Sequence, residues 1–444
     1  MTAPAVAPPP PAAQPAPVSD RHRSAVVWLL TVVYTLNFMD RQVVSVLLPA
    51  IQAEFGIGDT LAGLLHGTAF ALFYVTLALP IARWADVGPR VRIIAAATAL
   101  WSVATALCGF ARSFGQLFAA RVAVGVGEAG CSPAAYSLLA GYYGPTERSR
   151  PMAIYAAGIP LGSAIGFLGG GLIAQAYGWR QAFWLFGIPG VVVALLVLGF
   201  VREPPRSAAP ALRPSLRMVL TNLWQRRSFR HATVATALLA AAGFATGVWA
   251  PSFLARTHRM PVGLIGVVLA ALTVTAVPAS IVAGRLADRW VKRDRRFHVW
   301  VPAVAMLVAA PFSIAALLLP AGVLPLLGAE IPTYWLVAVL SIPPTAASAI
   351  YAGPVLAAIQ TMTPEAMRAM TTAIFLFFTN LIGLGLGPVV VGRLSDSLRA
   401  VAGTDSLRWS LLITVGLNLW AAAHYALAAR HLGTDLDRPW EPAR

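Results

Sequence analysis

Long apolar segments dominate this sequence of 444 residues, of which 58% are hydrophobic and 11% are charged. A transmembrane helix needs about 20 mostly apolar residues, whereas about a quarter of the residues in a soluble protein are charged. The sequence therefore predicts an all-α membrane protein with twelve transmembrane helices. We place these helices at residues 25–50, 60–82, 91–111, 115–141, 151–176, 181–201, 231–255, 261–284, 299–320, 332–360, 369–392 and 407–429.

The polar connections divide the chain into two equal sets of helices. The longest connection, residues 202–230, is predicted to be a cytoplasmic linker between a six-helix bundle at 25–201 and a second at 231–430. Residues 1–24 are rich in Ala and Pro and are predicted to be a disordered cytoplasmic tail. Residues 431–444 are predicted to be a second cytoplasmic tail.

The basic residues indicate how the chain is oriented in the membrane. The net charge is +16, but the 33 Lys and Arg residues lie between apolar segments and form no basic domain of the kind that binds nucleic acid. If the N-terminus is cytoplasmic, 24 of them lie on the inner side, seven on the outer side, and Arg41 and Arg121 within helices. Because cytoplasmic loops carry an excess of Lys and Arg, both termini are predicted to be cytoplasmic, in a multi-pass protein of the inner (plasma) membrane.

The two halves of the chain resemble each other. The segment ARWADVGPRVR at 82–92 follows helix 2, and GRLADRWVKR at 284–293 follows the corresponding helix 8. Internal repeats of this kind are typical of secondary transporters, in which the substrate binds between the repeats near the middle of the membrane.

These segments carry a resemblance to the major facilitator superfamily, which the chain matches over its whole length. More narrowly, NFMDRQ at 37–42, RVAVGVGEAGCSP at 121–133 and GWRQAF at 178–183 resemble the Spinster-like branch of bacterial-type sphingolipid and lysophospholipid transporters. The resemblance implies the fold of that superfamily and transport by alternating access. It also implies a lysophospholipid or a sphingoid-type lipid as substrate.

The repeated loop segments resemble the signature of the superfamily between helices 2 and 3. The first copy has lost the glycine and one arginine of that signature but keeps Asp86 and Arg90, and the second copy keeps Asp288 and Arg289. The resemblance implies that these four residues act as gates between conformations. The alternative is that they are ordinary solvated loop charges.

Four ionisable residues lie deep within the predicted helices: Asp40 and Arg41 in helix 1, and Arg121 and Glu128 in helix 4. Each costs about 3 kcal/mol at a helix centre, so they must pair, take up protons or face water. If helices 1 and 4 are neighbours, Asp40 can pair with Arg121 and Arg41 with Glu128. Such pairs either lock the bundle together or mark a transport pathway.

Side-chain chemistry assigns different roles to these four residues. Arg41 and Arg121 keep their charge at any working pH, and their planar donor groups suit a phosphate or a carboxylate, so we predict that they bind substrate. Asp40 and Glu128 are predicted to carry the coupled proton. In this hypothesis an anionic substrate and a carboxylate compete for the same arginines.

The remaining predicted contacts are aromatic or polar. Tyr34 and Asn37 share helix 1 with the charged pair, and the C-terminal half offers Trp249, Tyr351 and Phe375. A cavity with one charged and one aromatic wall suits an amphiphile. The alternatives are a proton-coupled carrier of small organic anions and a multidrug antiporter.

Other motifs are predicted to be structural. Residues 125–130, GVGEAG, match a dinucleotide-binding fingerprint, but they lie inside a membrane helix and are better explained by close helix packing. Gly158, Gly162, Gly166 and Gly170 form a ladder that indicates helix packing or a surface that slides during transport. No catalytic, cofactor or metal motif is apparent, Cys108 and Cys131 are predicted to be buried thiols, and we expect a monomeric transporter rather than an enzyme.

Overall fold

The structure is a computed structural model. It describes residues 19–144, 147–204, 215–326, 329–364 and 367–440.

Six membrane-spanning segments form the N-terminal half, and three of them are broken into two consecutive helices. The helices are α1 Asp20–Phe55, α2 Asp59–His66, α3 Thr68–Val87, α4 Arg90–Cys108, α5 Phe114–Ala129, α6 Cys131–Tyr142, α7 Ser149–Ala156, α8 Gly158–Tyr177 and α9 Trp179–Phe200.

The C-terminal half follows a short helix, α10, and also contains six membrane-spanning segments. Its elements are α10 Leu216–Gln225, α11 Arg227–His258, α12 Val262–Val291, α13 Phe297–Leu318, β1 Val323–Leu326, β2 Ala329–Pro332, α14 Thr333–Leu340, α15 Ile342–Ile350, α16 Ala352–Thr361, α17 Arg368–Ala402 and α18 Ser406–Leu436. Strands β1 and β2 pair in an antiparallel hairpin that the sequence did not indicate.

The helices account for the twelve predicted spans. Nine stretches of the described residues are long and apolar enough to cross a membrane, and the last of them, Met370–Leu436, contains both α17 and α18. The remaining two spans are α1, which carries the charged pair, and α5–α6, which is interrupted at Gly130 into pieces of 16 and 12 residues.

Several predicted boundaries need correction. Helix α1 begins at Asp20 and α11 at Arg227, so each helix extends beyond its apolar core at the cytoplasmic end. Helix α18 continues to Leu436, into the predicted C-terminal tail. Polar and charged residues therefore extend these helices beyond the membrane. Most of the predicted N-terminal tail and residues 205–214 of the linker lie outside the described residues.

A stripe of exposed apolar side chains on α9 shows which surface faces lipid. Leu185, Ile188, Val192 and Leu195 are each more than half exposed. Their spacing of three or four residues places them on one face of the helix. Apolar surface of this extent is compatible with hydrocarbon but not with water.

The glycine ladder of α8 packs against α1 within the N-terminal half. A Cβ atom at Gly158 or Gly166 would lie 3.0 Å or less from the carbonyl oxygen of Thr31 or Met39, and one at Gly162 would collide with the carbonyl oxygen of Thr35. Close backbone approach of this kind requires small residues. The ladder therefore supports helix packing rather than a surface that slides between the two halves.

Replacing Gly162 with alanine is expected to destabilise the protein. The new methyl group would meet backbone atoms of α1, and overpacking of this type costs about 1–3 kcal/mol. Gly416→Ala is the matched control, because the corresponding space on α18 is open and alanine favours a helix over glycine. The unfolding temperature in detergent should fall for Gly162→Ala only. Equal unfolding temperatures for both variants would contradict the packing.

Candidate functional site

The predicted pair between helices 1 and 4 is formed by Arg41 and Glu128. The Nε atom of Arg41 donates a hydrogen bond to Oε2 of Glu128 at 2.7 Å. The Glu128 side chain is fully buried, and that of Arg41 is 13% exposed. Glu128 lies one residue before the end of α5, so the break at Gly130 comes two residues after the residue that anchors this ion pair.

The second predicted pair, Asp40 with Arg121, is not formed. Oδ2 of Asp40 instead accepts a hydrogen bond from the Thr105 hydroxyl on α4 at 3.0 Å, and no described residue makes an ion pair with Asp40 within 4.0 Å. The reason is helix geometry, because consecutive residues of a helix point about 100° apart. Arg41 faces α5, whereas Asp40 faces α4.

Arg121 is a buried cation with incomplete hydrogen bonding. It is 1% exposed, and its Nε and Nη1 atoms have no hydrogen-bond partner among the described residues. The guanidinium lies 5.6 Å from the centre of the Phe70 ring. Since buried donors without partners are costly and rare, this side chain marks a place for an anion or for ordered water.

Three aromatic rings surround the guanidinium of Arg41. The centres of the Phe38, Phe70 and Tyr74 rings lie 4.8, 4.7 and 4.6 Å from its Cζ atom. Cation–π contacts stabilise a desolvated guanidinium, and the rings also restrict its movement. These contacts were not predicted from the sequence, although Phe70 and Tyr74 are four residues apart on one helix and so share a face.

The other two predicted contacts of helix 1 lie in the same region. Asn37 is 1% exposed and adjacent to Glu128. Tyr34 is 8% exposed and stacks on Tyr155, with ring centres 4.4 Å apart. The structure thus brings Asn37 to the charged pair and places Tyr34 in an aromatic cluster beside it.

The aromatic residues predicted for the C-terminal half occupy different positions. Trp249 is fully buried and donates its indole N–H to the carbonyl oxygen of Pro388 at 2.8 Å. Phe375 is 2% exposed and belongs to the core of this half. Tyr351 is partly buried at the break between α15 and α16. The expectation of an aromatic cavity wall is therefore corrected for Trp249 and Phe375, whose side chains pack between helices.

A largely aliphatic cavity is present instead. It has a volume of about 260 Å³, close to the lower end of the range for small-molecule sites, which is roughly 300–1,000 Å³. Its lining includes Phe253, Leu269, Met306 and Val337, together with several Ser and Thr residues and Asn418. The C-terminal half thus provides apolar space, and the N-terminal half provides the buried charges.

The predicted gate residues are only partly described. The side chains of Asp86 and Asp288 lie outside the described residues, and Arg289 is exposed. Arg90 is buried and binds Glu203 Oε1 at 2.5 Å, together with two carbonyl oxygens of its own half. Arg90 thus joins elements within the N-terminal half here, and the role of these four residues as gates remains a prediction.

A network of hydrogen bonds and ion pairs that was not predicted from the sequence connects the two halves at their outer ends. The fully buried carboxylate of Asp59, at the start of α2, accepts two hydrogen bonds from Arg256 on α11, at 2.7 and 2.9 Å. It also accepts hydrogen bonds from Gln52, Ser395 and Arg399. A bidentate arginine–carboxylate pair combines strength with a defined geometry.

Asp396 of the C-terminal half completes this network. Its carboxylate accepts hydrogen bonds from the backbone N–H groups of Asp59 and Thr60 at 3.0 and 2.7 Å. Because these N–H groups lie in the first turn of α2, they have no hydrogen-bond acceptor within the helix itself. A residue of one half therefore caps a helix of the other. We call Asp59, Arg256, Asp396 and Arg399 the outer gate.

A second outer ion pair stays within one half. Both carboxylate oxygens of Glu54 accept hydrogen bonds from Arg180 at 2.6 Å, and Oε2 also accepts the Trp179 indole N–H. These bonds hold the pKa of Glu54 below its usual range. They also give a structural role to the segment GWRQAF at 178–183, which joins α1 to the start of α9.

Packing between α8 and α12 adds to the closure of the outer side. A Cβ atom at Gly171 would lie 2.7 Å from the carbonyl oxygen of Val262, and one at Gly266 would collide with that of Phe167. Gly171 is adjacent to the ladder but faces the other half of the protein. Together with the outer gate, these contacts hold the outer ends of the two halves together.

The fold and the site define a secondary transporter of two six-helix bundles, with a buried charged site in the N-terminal bundle. A family model described as Major Facilitator Superfamily matches residues 30–324. An MFS-type efflux pump of Mycolicibacterium smegmatis is 37% identical over 427 residues, covering 94% of this chain and 96% of that protein. The chain belongs to the major facilitator superfamily, and it is a Spinster-like transporter and not an enzyme.

Spinster proteins supply the narrower comparison. The crystal structure of a bacterial homologue of the human lysosomal transporter Spinster, inward-facing and unoccupied, has a TM-score of 0.83 and 30% sequence identity. That match covers 96% of this chain and 100% of the homologue. Protein spinster of Drosophila melanogaster is 29% identical over 326 residues, which cover 70% of this chain and 54% of that protein. The closed outer side agrees with an inward-facing arrangement.

Proposed function

We propose that this protein is a proton-coupled transporter that moves an amphiphilic or anionic small molecule across the inner membrane by alternating access. A lysophospholipid or a sphingoid-type lipid is the favoured substrate, and the working unit is a monomer. The observation that carries this proposal is the buried Arg121, whose Nε and Nη1 atoms have no hydrogen-bond partner among the described residues. Its guanidinium shares the Phe70 ring with that of Arg41. A site of this kind suits the phosphate or carboxylate of a substrate.

The Arg41–Glu128 pair supplies the coupling. While Glu128 is ionised, its carboxylate accepts the hydrogen bond from Nε of Arg41, so that this donor is not free to bind an anion. When Glu128 takes up a proton, it loses its charge, and the permanently charged Arg41 becomes available to an anion. Substrate binding and proton uptake therefore favour each other. Asp40, which is held by an uncharged threonine, is the second carboxylate available for protonation.

The aliphatic cavity supports an amphiphilic substrate. The headgroup would bind the arginines of the N-terminal half, and the hydrocarbon chain would enter the space lined by Phe253, Leu269 and Met306. Burial of each methylene group contributes about 0.8 kcal/mol, so a long chain would supply much of the affinity.

A second candidate function is export of small organic anions or drugs by proton antiport. The specific support is the name of the mycobacterial relative, an MFS-type efflux pump, which is 37% identical over nearly the whole chain. The two candidates differ in the ligand that stabilises the protein. A short carboxylate would favour the carrier of small anions, cationic drugs would favour the multidrug antiporter, and a lysolipid would favour the lipid transporter.

A thermal-shift screen tests the proposal. Purified protein is heated with lysophospholipids, sphingoid lipids, short organic anions or drugs at two pH values. We expect a lysolipid to raise the unfolding temperature, because a ligand that binds only the folded state stabilises it. The effect should disappear in Arg41→Ala and in Arg121→Ala but persist in Arg112→Ala, a control at an exposed position. Equal stabilisation of all variants would exclude the arginines as the binding site.

A further inference from the structure

The short helix α10, which precedes the C-terminal bundle, has three distinct faces. Val219, Asn222 and Leu223 are buried against the protein. Leu216 and Trp224 are 47% and 58% exposed, and the partly buried Leu220 lies between them at the same spacing of four residues. Residues at this spacing lie on one face of a helix. The exposed apolar face therefore adjoins the face that holds α10 to the protein, and Leu220 lies between the two.

The position of α10 places this apolar face at the cytoplasmic surface of the membrane. Helix α10 lies between α9 and α11, and the ends of both helices that face it are cytoplasmic. Arg217 and Thr221 form the third, polar face and are exposed. A helix with an apolar face beside a polar face, and with an aromatic residue at the boundary, is typical of helices that lie in the interface of a bilayer.

A groove runs between α10 and the membrane-spanning helix α17. It is lined by Leu220 and Trp224 from α10 and by Phe378 from α17, with Thr221 and Gln225 at its edge. Its volume is about 480 Å³. Helix α17 also contacts α2 and α3 of the other half. The groove thus lies on a helix that borders the junction between the two halves.

The charge on α10 and at the start of α11 indicates which lipid would occupy the groove. Arg217 lies one helical turn before Leu220 and Thr221, and Arg227 and Arg230 follow in the first turn of α11. Arg217, Arg227 and Arg230 are exposed, and residues 215–230 contain no Asp or Glu. Lys and Arg side chains near an anionic membrane surface are attracted to it. An apolar groove beside such a cluster fits a molecule with a hydrocarbon chain and a negative headgroup.

We propose that α10 lies in the inner-leaflet interface and that the groove holds one acyl chain of an anionic phospholipid, whose headgroup binds Arg217, Arg227 and Arg230. This lipid site is separate from the charged site between α1 and α5. It fixes α10 to the membrane and to α17, and it does not depend on the transported substrate.

A fluorescent label at Leu220 tests the acyl-chain contact. Leu220→Cys is labelled with an environment-sensitive dye, and the native Cys108 and Cys131 are fully buried and should not react. The protein is placed in nanodiscs of phosphatidylglycerol with brominated acyl chains, which quench fluorophores in contact with them. We expect at least twofold stronger quenching than for a label on Asp294→Cys, an exposed loop position on the same side of the membrane. Equal quenching at the two positions would overturn the proposal.

Two further measurements distinguish the possible occupants. Quenching should weaken when phosphatidylglycerol is replaced by phosphatidylcholine or when the three arginines are replaced by glutamine. No change in either case would overturn the proposed headgroup contact. If the Leu220 label is as well shielded in delipidated detergent as in nanodiscs, another part of the chain, such as linker residues 205–214, fills the groove and the lipid is excluded.

Discussion

Glu128→Gln is expected to reduce uptake driven by a pH gradient to background. Glutamine preserves the size of the side chain and can still accept the hydrogen bond from Nε of Arg41. It can neither carry a charge nor take up a proton, so Arg41 remains accessible to an anion at every pH. The variant should therefore bind substrate but no longer couple binding to protonation.

Transport in proteoliposomes measures this effect. Uptake is driven either by a pH gradient or, without one, by exchange of labelled against unlabelled substrate. We expect Glu128→Gln to lose the uptake that is driven by a pH gradient but to retain substantial exchange. Its exchange should no longer depend on pH. Asp40→Asn should likewise lose gradient-driven uptake. Normal pH-dependent uptake in both variants would refute coupling through these carboxylates.

A purely structural role for the ion pair gives a different result. Removing one member of a buried ion pair costs about 3–5 kcal/mol, because the other charge remains buried without a partner. If the Arg41–Glu128 pair only locks the bundle, Glu128→Gln should lower the unfolding temperature and reduce uptake and exchange together. The residual activity would then keep its normal pH profile.

Asp59→Asn is expected to open the outer side of the protein. The carboxylate of Asp59 accepts hydrogen bonds from both Arg256 and Arg399 of the other half. A hydrogen bond to a charged group contributes about 1.5–3 kcal/mol, so loss of one changes the balance between closed and open states by roughly 10- to 150-fold. Asparagine fits the same space, which limits the change to charge.

Distances between spin labels measure this opening. Arg112 and Glu330 are exposed at the outer ends of the two halves and can carry the labels. We expect Asp59→Asn to add a population with a longer distance. Glu54→Gln is the matched control, since its partners Trp179 and Arg180 belong to the same half. If both variants give the same distances, the outer gate does not hold the two halves together.

The parts of the structure that follow from local sequence were predictable. Twelve apolar segments require twelve helices because a bilayer leaves the backbone few alternatives. The Arg41–Glu128 pair was also predictable, since charges are so costly within the membrane that their number is small and their partners are few.

The rest depends on distances and directions that one sequence does not contain. Asp59 and Arg256 are separated by 197 residues. In the sequence, their charges near helix ends cannot be distinguished from ordinary solvated charges in loops. Whether Asp40 accepts a hydrogen bond from Thr105 or pairs with Arg121 depends on the rotation of α1 about its own axis. Trp249 and Phe375 are apolar enough for a cavity wall or for the core, and only packing distinguishes the two.

The separation of Arg41 from Glu128 has a consequence for biosynthesis. The two residues are 87 positions apart, so at about 5–20 residues per second the ribosome needs about 4–17 s to synthesise the chain between them. During this interval α1 carries Asp40 and Arg41 without the partner that later neutralises the arginine. Stable insertion of the first helix therefore depends on the arrival of the fourth, and we expect truncated chains that end before α5 to remain bound to the insertion machinery.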